Sequence, residues 1–188
     1  MAKRDNHYEA AFEAYLRWLT IPYVAVDETR RTLAGDLTLK SLDFLVSPLV
    51  GQASAAGSWL VDVKGRRFPT GKSQYWRNWC PREELSSLAG WESLFAPSAS
   101  GLLVFAYNVV GDRALLAPEE LFVHRGSLYG FIGIRLDHYS SWAVQLSARW
   151  DTVTIPTAKF RSLARPVREL FGAPLPERQR LPLGVDAA

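Results

Sequence analysis

Apolar positions near the start of the chain recur at the helical period. Tyr8, Phe12, Tyr15, Leu16 and Leu19 fall on one face, Asn6 is placed to cap the first turn and Pro22 to end it, so the spacing predicts a helix over 7–20. Glu9 and Glu13 border that stripe, and at about 100° per residue Glu9 lies nearer its centre and is the one expected to look inward. The pattern then shortens into apolar runs bounded by Gly, Pro and Ser. These predict strands over 23–26, 41–46 and 58–64, the last two joined as a loose hairpin through the Gly/Ala/Ser-rich stretch 51–57. Pro81 and Pro97 bracket a helix over 82–95, and an apolar strand follows over 102–107. Strand, helix, strand in that order favours parallel pairing through a right-handed crossover.

Beyond this core, 121–124 and 129–136 read as a hairpin around Arg125-Gly126-Ser127, 150–155 as a further strand, and 156–171 as helix with a break at Pro166. The stretch 173–188 holds three prolines and few bulky anchors, which suits a flexible tail behind a single domain over 1–172. The fold class expected is α/β: a central mixed sheet flanked by helices, with a C-terminal hairpin and helix extension.

Two of the apolar runs carry charges that a buried strand has no structural reason to keep. Side chains alternate along a strand, so Asp62 and Lys64 share one face while Trp59, Val61 and Val63 take the other. If the strand with Asp43 pairs beside them, a second carboxylate joins the first. Two carboxylates brought together away from water are most easily explained by a bound divalent cation.

Charge and composition add a partner to this picture. The formal net charge is only +3, but 64–82 holds six basic residues (Lys64, Arg66, Arg67, Lys72, Arg77, Arg82) and no acidic one. Tyr75, Trp76 and Trp79 are interleaved with them, combining phosphate-neutralising and base-stacking side chains as nucleic-acid surfaces do. Arg66, Arg67, Lys72, Trp76, Arg77 and Trp79 are therefore the expected nucleic-acid contacts. The single Cys80 allows no intrachain disulfide, and the start of the chain shows neither an apolar signal core nor a membrane span, pointing to a soluble cytoplasmic protein. His7, His124 and His138 are far apart, no cluster has zinc spacing and no Gly-rich phosphate loop follows a strand.

A helix glutamate, Asp43, and the Asp62-Val63-Lys64 triplet on the next strand together resemble the PD-(D/E)XK nuclease superfamily, which includes restriction enzymes and Holliday-junction resolvases. The resemblance covers about 7–109, with Leu42 standing where the pattern has proline. The heptad His7-Tyr8-Glu9-Ala10-Ala11-Phe12-Glu13 is also similar to the signature of the bacterial HYExAFE family, to which no activity is attached. The superfamily resemblance implies Mg²⁺, or Mn²⁺, held by Asp43, Asp62 and a helix glutamate (Glu9 or Glu13). It also implies Lys64 as the catalytic cation, with Glu9, Asp43, Asp62 and Lys64 as the catalytic set. The activity it implies is phosphodiester hydrolysis in nucleic acid, DNA before RNA, as an endonuclease. Two nicks on a duplex would call for a homodimer.

Overall fold

The computed structural model describes residues 6–26, 32–34, 37–47, 57–69, 76–175 and 186–187. The first helix, α1 (His7–Trp18), starts where Asn6 Oδ1 accepts the Tyr8 N–H at 3.1 Å, and it buries Phe12, Tyr15 and Leu16. Three-residue strands β1 (Tyr23–Ala25), β2 (Thr32–Ala34), β3 (Leu37–Leu39) and β4 (Phe44–Val46) follow. The long strand β5 (Ser58–Phe68) and the two-residue β6 (Cys80–Pro81) then lead into α2 (Arg82–Phe95) and a second long strand, β7 (Ala99–Val109). After β8 (Arg113–Ala114), a 3-10 turn (Pro118–Glu120) enters the hairpin of β9 (Leu121–His124) and β10 (Ser127–Arg135). The chain continues through α3 (Leu136–Trp142), β11 (Val144–Ser147), β12 (Thr152–Thr154), α4 (Thr157–Leu163), β13 (Arg165–Pro166), α5 (Val167–Leu170) and β14 (Asp186–Ala187).

The central sheet runs β1-β4-β5-β7-β10-β13, with β9 on β10. It is mixed: β5 and β7 are parallel from Ser58–Ala99 to Phe68–Val109, while β4 and β10 pair antiparallel on either side of them. Alternation on β5 and β7 feeds two cores. Trp59, Val61, Val63, Leu102, Val104 and Ala106 pack with Phe12, Tyr15 and Leu16 of α1 and with Val167 of α5. Leu60, Phe68, Leu103, Phe105 and Tyr107 pack on the opposite face with Leu88 of α2, Tyr139 of α3 and Phe160 of α4. Both faces are covered, which is why the two strands run apolar almost throughout.

Several elements differ from the sequence expectation. Asp43 lies in a bend just outside β4 rather than within a strand over 41–46, and β5 and β7 each extend to eleven residues because each supports the other. The expected strand end at Leu136 is instead the start of α3, whose Leu136 and Tyr139 are buried three positions apart; Asp137 in the first turn suits the helix N-terminus. The hairpin turn is Arg125-Gly126, both at positive φ (50° and 76°), as a two-residue connection requires. Rather than standing apart, the hairpin joins the central sheet through β10. Ala173 is buried and β14 pairs parallel with β8, whereas 176–185 and 188 of the expected tail lie outside the described residues, as do 51–56 of the expected hairpin connection.

Candidate active site

β4 pairs with β5 from Phe44–Val61 to Val46–Trp59. β5 runs on past it, and Asp43 marks the place where the two strands part. Its own N–H donates to the Val61 carbonyl at 3.1 Å, and its Oδ2 accepts the N–H of Val63 at 2.5 Å, standing in for the next strand residue. The carboxylate is thereby carried along β5 and buried. Asp62 and Lys64 are buried on the α2 face of β5, and the Lys64 Nζ lies 2.5 Å from Asp62 Oδ2.

The same ammonium lies 2.5 Å from Oε2 of Glu84 in the first turn of α2. The other oxygen of Glu84 pairs with Lys40 Nζ. Lys40 is itself fixed to α2, its N–H donating to Ser87 Oγ at 3.2 Å and its carbonyl accepting from Trp91 Nε1 at 2.8 Å. A relay of Lys40, Glu84, Lys64 and Asp62 therefore ties the second helix to the central strand. Glu84 escaped sequence reasoning because an acid in a first helical turn is ordinary there. Nothing local marks it as the partner of a lysine twenty positions earlier.

Glu9 is buried, and Asn6, having capped α1 with its oxygen, donates from Nδ2 to the Glu9 carboxylate. α1 can lie this close because Gly65 sits under the Tyr8 ring: a Cβ there would come 2.1 Å from Tyr8 Cδ2. Glu13 faces elsewhere, accepting from Arg17 Nη2 at 2.5 Å and from Tyr23 Oη at 2.9 Å. Of the two glutamates left open by the sequence, Glu9 is the one whose charge reaches Asp43.

The electrostatics reflect crowded carboxylates. Burial first, then the charges of Asp62 and Glu9, push the Asp43 carboxyl well above its ordinary range, against the opposing pull of Lys64 and the Val63 N–H. Burial also raises Asp62; Lys64 opposes this and Glu84 adds to it. Burial alone would lower Lys64, but Asp62 and Glu84 outweigh it and hold the ammonium charged above its usual range. For Glu84 burial is likewise overcome, by Lys64 and Lys40, and its pKa falls below the ordinary value.

Of the expected nucleic-acid contacts, Arg67 and Arg77 are exposed and Lys72 lies outside the described residues. Arg66 is packed inward: its guanidinium lies 4.0 Å from the Trp79 ring centroid and also donates to the Trp79 and Gly65 carbonyls. Trp76 is set edge-on among Phe68, Tyr107 and Phe160, with Arg161 over its ring. Arg66, Trp76 and Trp79 thus fasten the segment 76–81 to the core. Asn78 completes the fastening with both edges of its amide, donating to the Ile155 carbonyl at 3.1 Å and accepting the Ile155 N–H at 3.0 Å.

Among the described residues no group of three or more His, Cys, Asp or Glu side chains is arranged to hold a metal ion between them. Oxygen-only donors, with Asp62 close enough for its charge to raise Asp43, still fit a hard divalent cation, which commonly takes one or two carboxylates and completes its shell with water and phosphate. No described helix is long and apolar enough to cross a membrane.

No protein-family model matches the chain, so the HYExAFE signature finds no counterpart there, and no curated protein matches it. Among solved structures the chain is similar to Archaeoglobus fulgidus Hjc, a Holliday junction resolvase from an archaeal hyperthermophile. The TM-score is 0.51 at 11% identity, over 91% of this chain and 98% of that one. The architecture is that of the PD-(D/E)XK nuclease fold, a central mixed sheet between helices.

Proposed function

We propose that this chain is a Mg²⁺-dependent endonuclease, also served by Mn²⁺, that hydrolyses phosphodiester bonds in nucleic acid, with DNA preferred to RNA. The observation that carries this reading is Asp43, a buried carboxylate held beside Asp62 and within reach of the Glu9 charge, where each raises the cost of ionising it. Such crowding is unfavourable in a merely structural core and suits a site for a divalent cation. Asp43 and Asp62 would hold the cation, with Glu9 completing its coordination or holding one of its waters. A divalent ion bound there supplies Lewis-acid polarisation of the phosphoryl oxygen and a water of lowered pKa.

The chain's own residues do the rest. Lys64, kept charged by Asp62 and Glu84, stabilises negative charge developing on the phosphate or orients the attacking water. Glu84, itself paired with Lys40, holds that ammonium from the helix side, so it would keep a partner were Asp62 to hold a cation. Arg67 and Arg77, both exposed, would meet the phosphate backbone of the substrate. The similarity to a Holliday junction resolvase supports DNA and puts branched substrates first in any panel.

The test is cleavage of four-way-junction, linear duplex, circular and single-stranded DNA, and of RNA, with Mg²⁺ or Mn²⁺, comparing the protein with Asp62→Ala. Product formed by the protein and not by the variant is the expected result, and equal rates on every substrate refute the proposal. One observation favours a second reading, a nuclease fold that binds without turnover: the ammonium that catalysis would need is already engaged by two carboxylates. Thermal shifts separate the two. A Mg²⁺- or Mn²⁺-dependent rise in Tm that disappears in Asp43→Ala supports the nuclease, because a ligand binding only the folded state stabilises it; no shift with either cation supports the silent module.

A further inference from the structure

Among the described residues four tryptophans have a cation over the ring, and two of these pairs lie far out on the surface. Trp142, at the end of α3, is 44% exposed with Lys159 Nζ 4.0 Å from its centroid, and Trp150, before β12, is 69% exposed with the Arg149 guanidinium at 5.0 Å. Between them β11 turns Val144 and Leu146 outward. In its three-stranded sheet, ordered β11-β12-β6, β11 is an edge strand. From 142 to 165 the chain carries Arg149, Lys159, Arg161 and Arg165 against one acid, Asp151, which is occupied by Arg82 at 3.0 Å. Large apolar surface is thus left in water with the cations Arg149 and Lys159 beside it.

We propose that this face binds a single-stranded segment of nucleic acid, with unpaired bases on the Trp142 and Trp150 indoles and phosphates on Arg149 and Lys159. Exposed aromatic planes interleaved with cations are what a single strand needs, since every base has a face to stack and every nucleotide a charge to neutralise. Charge selects this occupant over a second copy of the chain. A two-fold contact through the same face would set Arg149 and Lys159 near their own counterparts, whereas a polyanion complements them. The face is also joined to the site through the core: α4, which carries Lys159 and Arg161, buries Phe160 against Phe105, and Phe105 pairs with Lys64 across the β5–β7 ladder. The inference rests on the reading that the chain acts on nucleic acid, but not on turnover.

The experiment measures anisotropy of a fluorescent oligo-dT of about 20 nucleotides titrated with the full chain in EDTA, so that nothing is cut. The variants are Trp150→Ala, the pair Trp142→Ala/Trp150→Ala, and Lys159→Ala, with cleavage assayed in parallel in Mg²⁺ on duplex and junction DNA. Trp150 is 69% exposed and its variant is expected to keep the parent Tm; Trp142 is 44% exposed, so the Tm of the paired variant is measured to establish that it is folded before affinities are compared. The expected result is about tenfold or more loss of affinity for each indole removed, and for Lys159→Ala a salt dependence shallower by roughly 0.7 in log–log slope. Unchanged affinity in the double variant overturns the inference, as does failure of the parent to bind. So does a parent that sediments as a dimer and becomes monomeric in the double variant, which assigns the face to self-association. Cleavage without any effect of the indoles removes this surface and leaves the nuclease reading standing; indole-dependent binding without cleavage does the reverse.

Discussion

Glu84→Gln is the substitution that tests the relay on which Lys64 depends. Glutamine keeps the shape and one acceptor oxygen but loses the charge that both Lys64 and Lys40 use. Removing one partner of a buried ion pair costs about 3–5 kcal/mol. Here the Lys64 and Glu84 side chains are only 10% and 13% exposed, which argues for that scale. Lys64 retains Asp62, however, and glutamine still accepts a hydrogen bond, which together bring the expected loss to about 2 kcal/mol. For a chain of this length that is roughly 4–8 °C in Tm.

Urea unfolding at pH 7 measures the loss, and a double-mutant cycle with Lys64→Met isolates the coupling, expected at about 1–2 kcal/mol. The pH dependence has a definite sign. Glu84 is depressed below its ordinary value of 4.5, so its contribution is complete above that value and disappears as pH falls through the lower folded pKa. The gap between Glu84→Gln and the parent must therefore close in acid. A loss under about 0.5 kcal/mol at pH 7, or effects of the two substitutions that simply add, would refute the relay.

Three further outcomes follow from the same geometry. Asp43 has the opposite sign to Glu84: its folded pKa is raised, so in EDTA it costs stability as pH climbs from the unfolded to the folded value; Asp43→Asn, which still accepts from Val63, should melt above the parent by a margin that widens as pH rises through that window and then stays constant, while cleavage and the cation-dependent shift are lost. Gly65→Ala drives a methyl into the Tyr8 ring and should cost about 1–3 kcal/mol and displace Glu9 with α1, lowering cleavage; adding Tyr8→Ala should recover stability over Gly65→Ala alone, and no recovery would locate the strain elsewhere. Asn78→Ala orphans the buried N–H and carbonyl of Ile155 and should cost about 2–4 kcal/mol in urea unfolding, with a loss below about 1 kcal/mol counting against the fastening of segment 76–81.

Legibility differed between strand chemistry and long-range pairing. Period alone placed Asp62 and Lys64 on one face and Trp59, Val61 and Val63 on the other, because alternation is a local property of any strand. Phase along a helix likewise separated Glu9 from Glu13, and Pro81 and Pro97 bracketed α2. What stayed hidden depends on contacts distant in sequence. Glu84 reaches Lys64 only through the crossover that lays α2 on the sheet. Trp76 and Trp79 read as base-stacking side chains, yet Arg66, Phe68, Tyr107 and Phe160 claim them. The exposed tryptophans were missed for the reverse reason, since Trp150 opened a stretch read as strand and Trp142 lies beyond the expected strand end at Leu136, in a helix the sequence reading did not place.

The eleven paired residues shared by β5 and β7 do more than fill the core. Asp62 and Lys64 face α2 only because Trp59, Val61 and Val63 face α1, so a slip of β5 by a single residue would exchange the two sets wholesale. The chain would still satisfy its backbone hydrogen bonds, yet the carboxylate and the ammonium would sit against Phe12 and Leu16, with valines at the site. The ladder therefore acts as an index for the candidate site: a one-residue insertion or deletion within β5 changes which side chains face it, however little it changes composition.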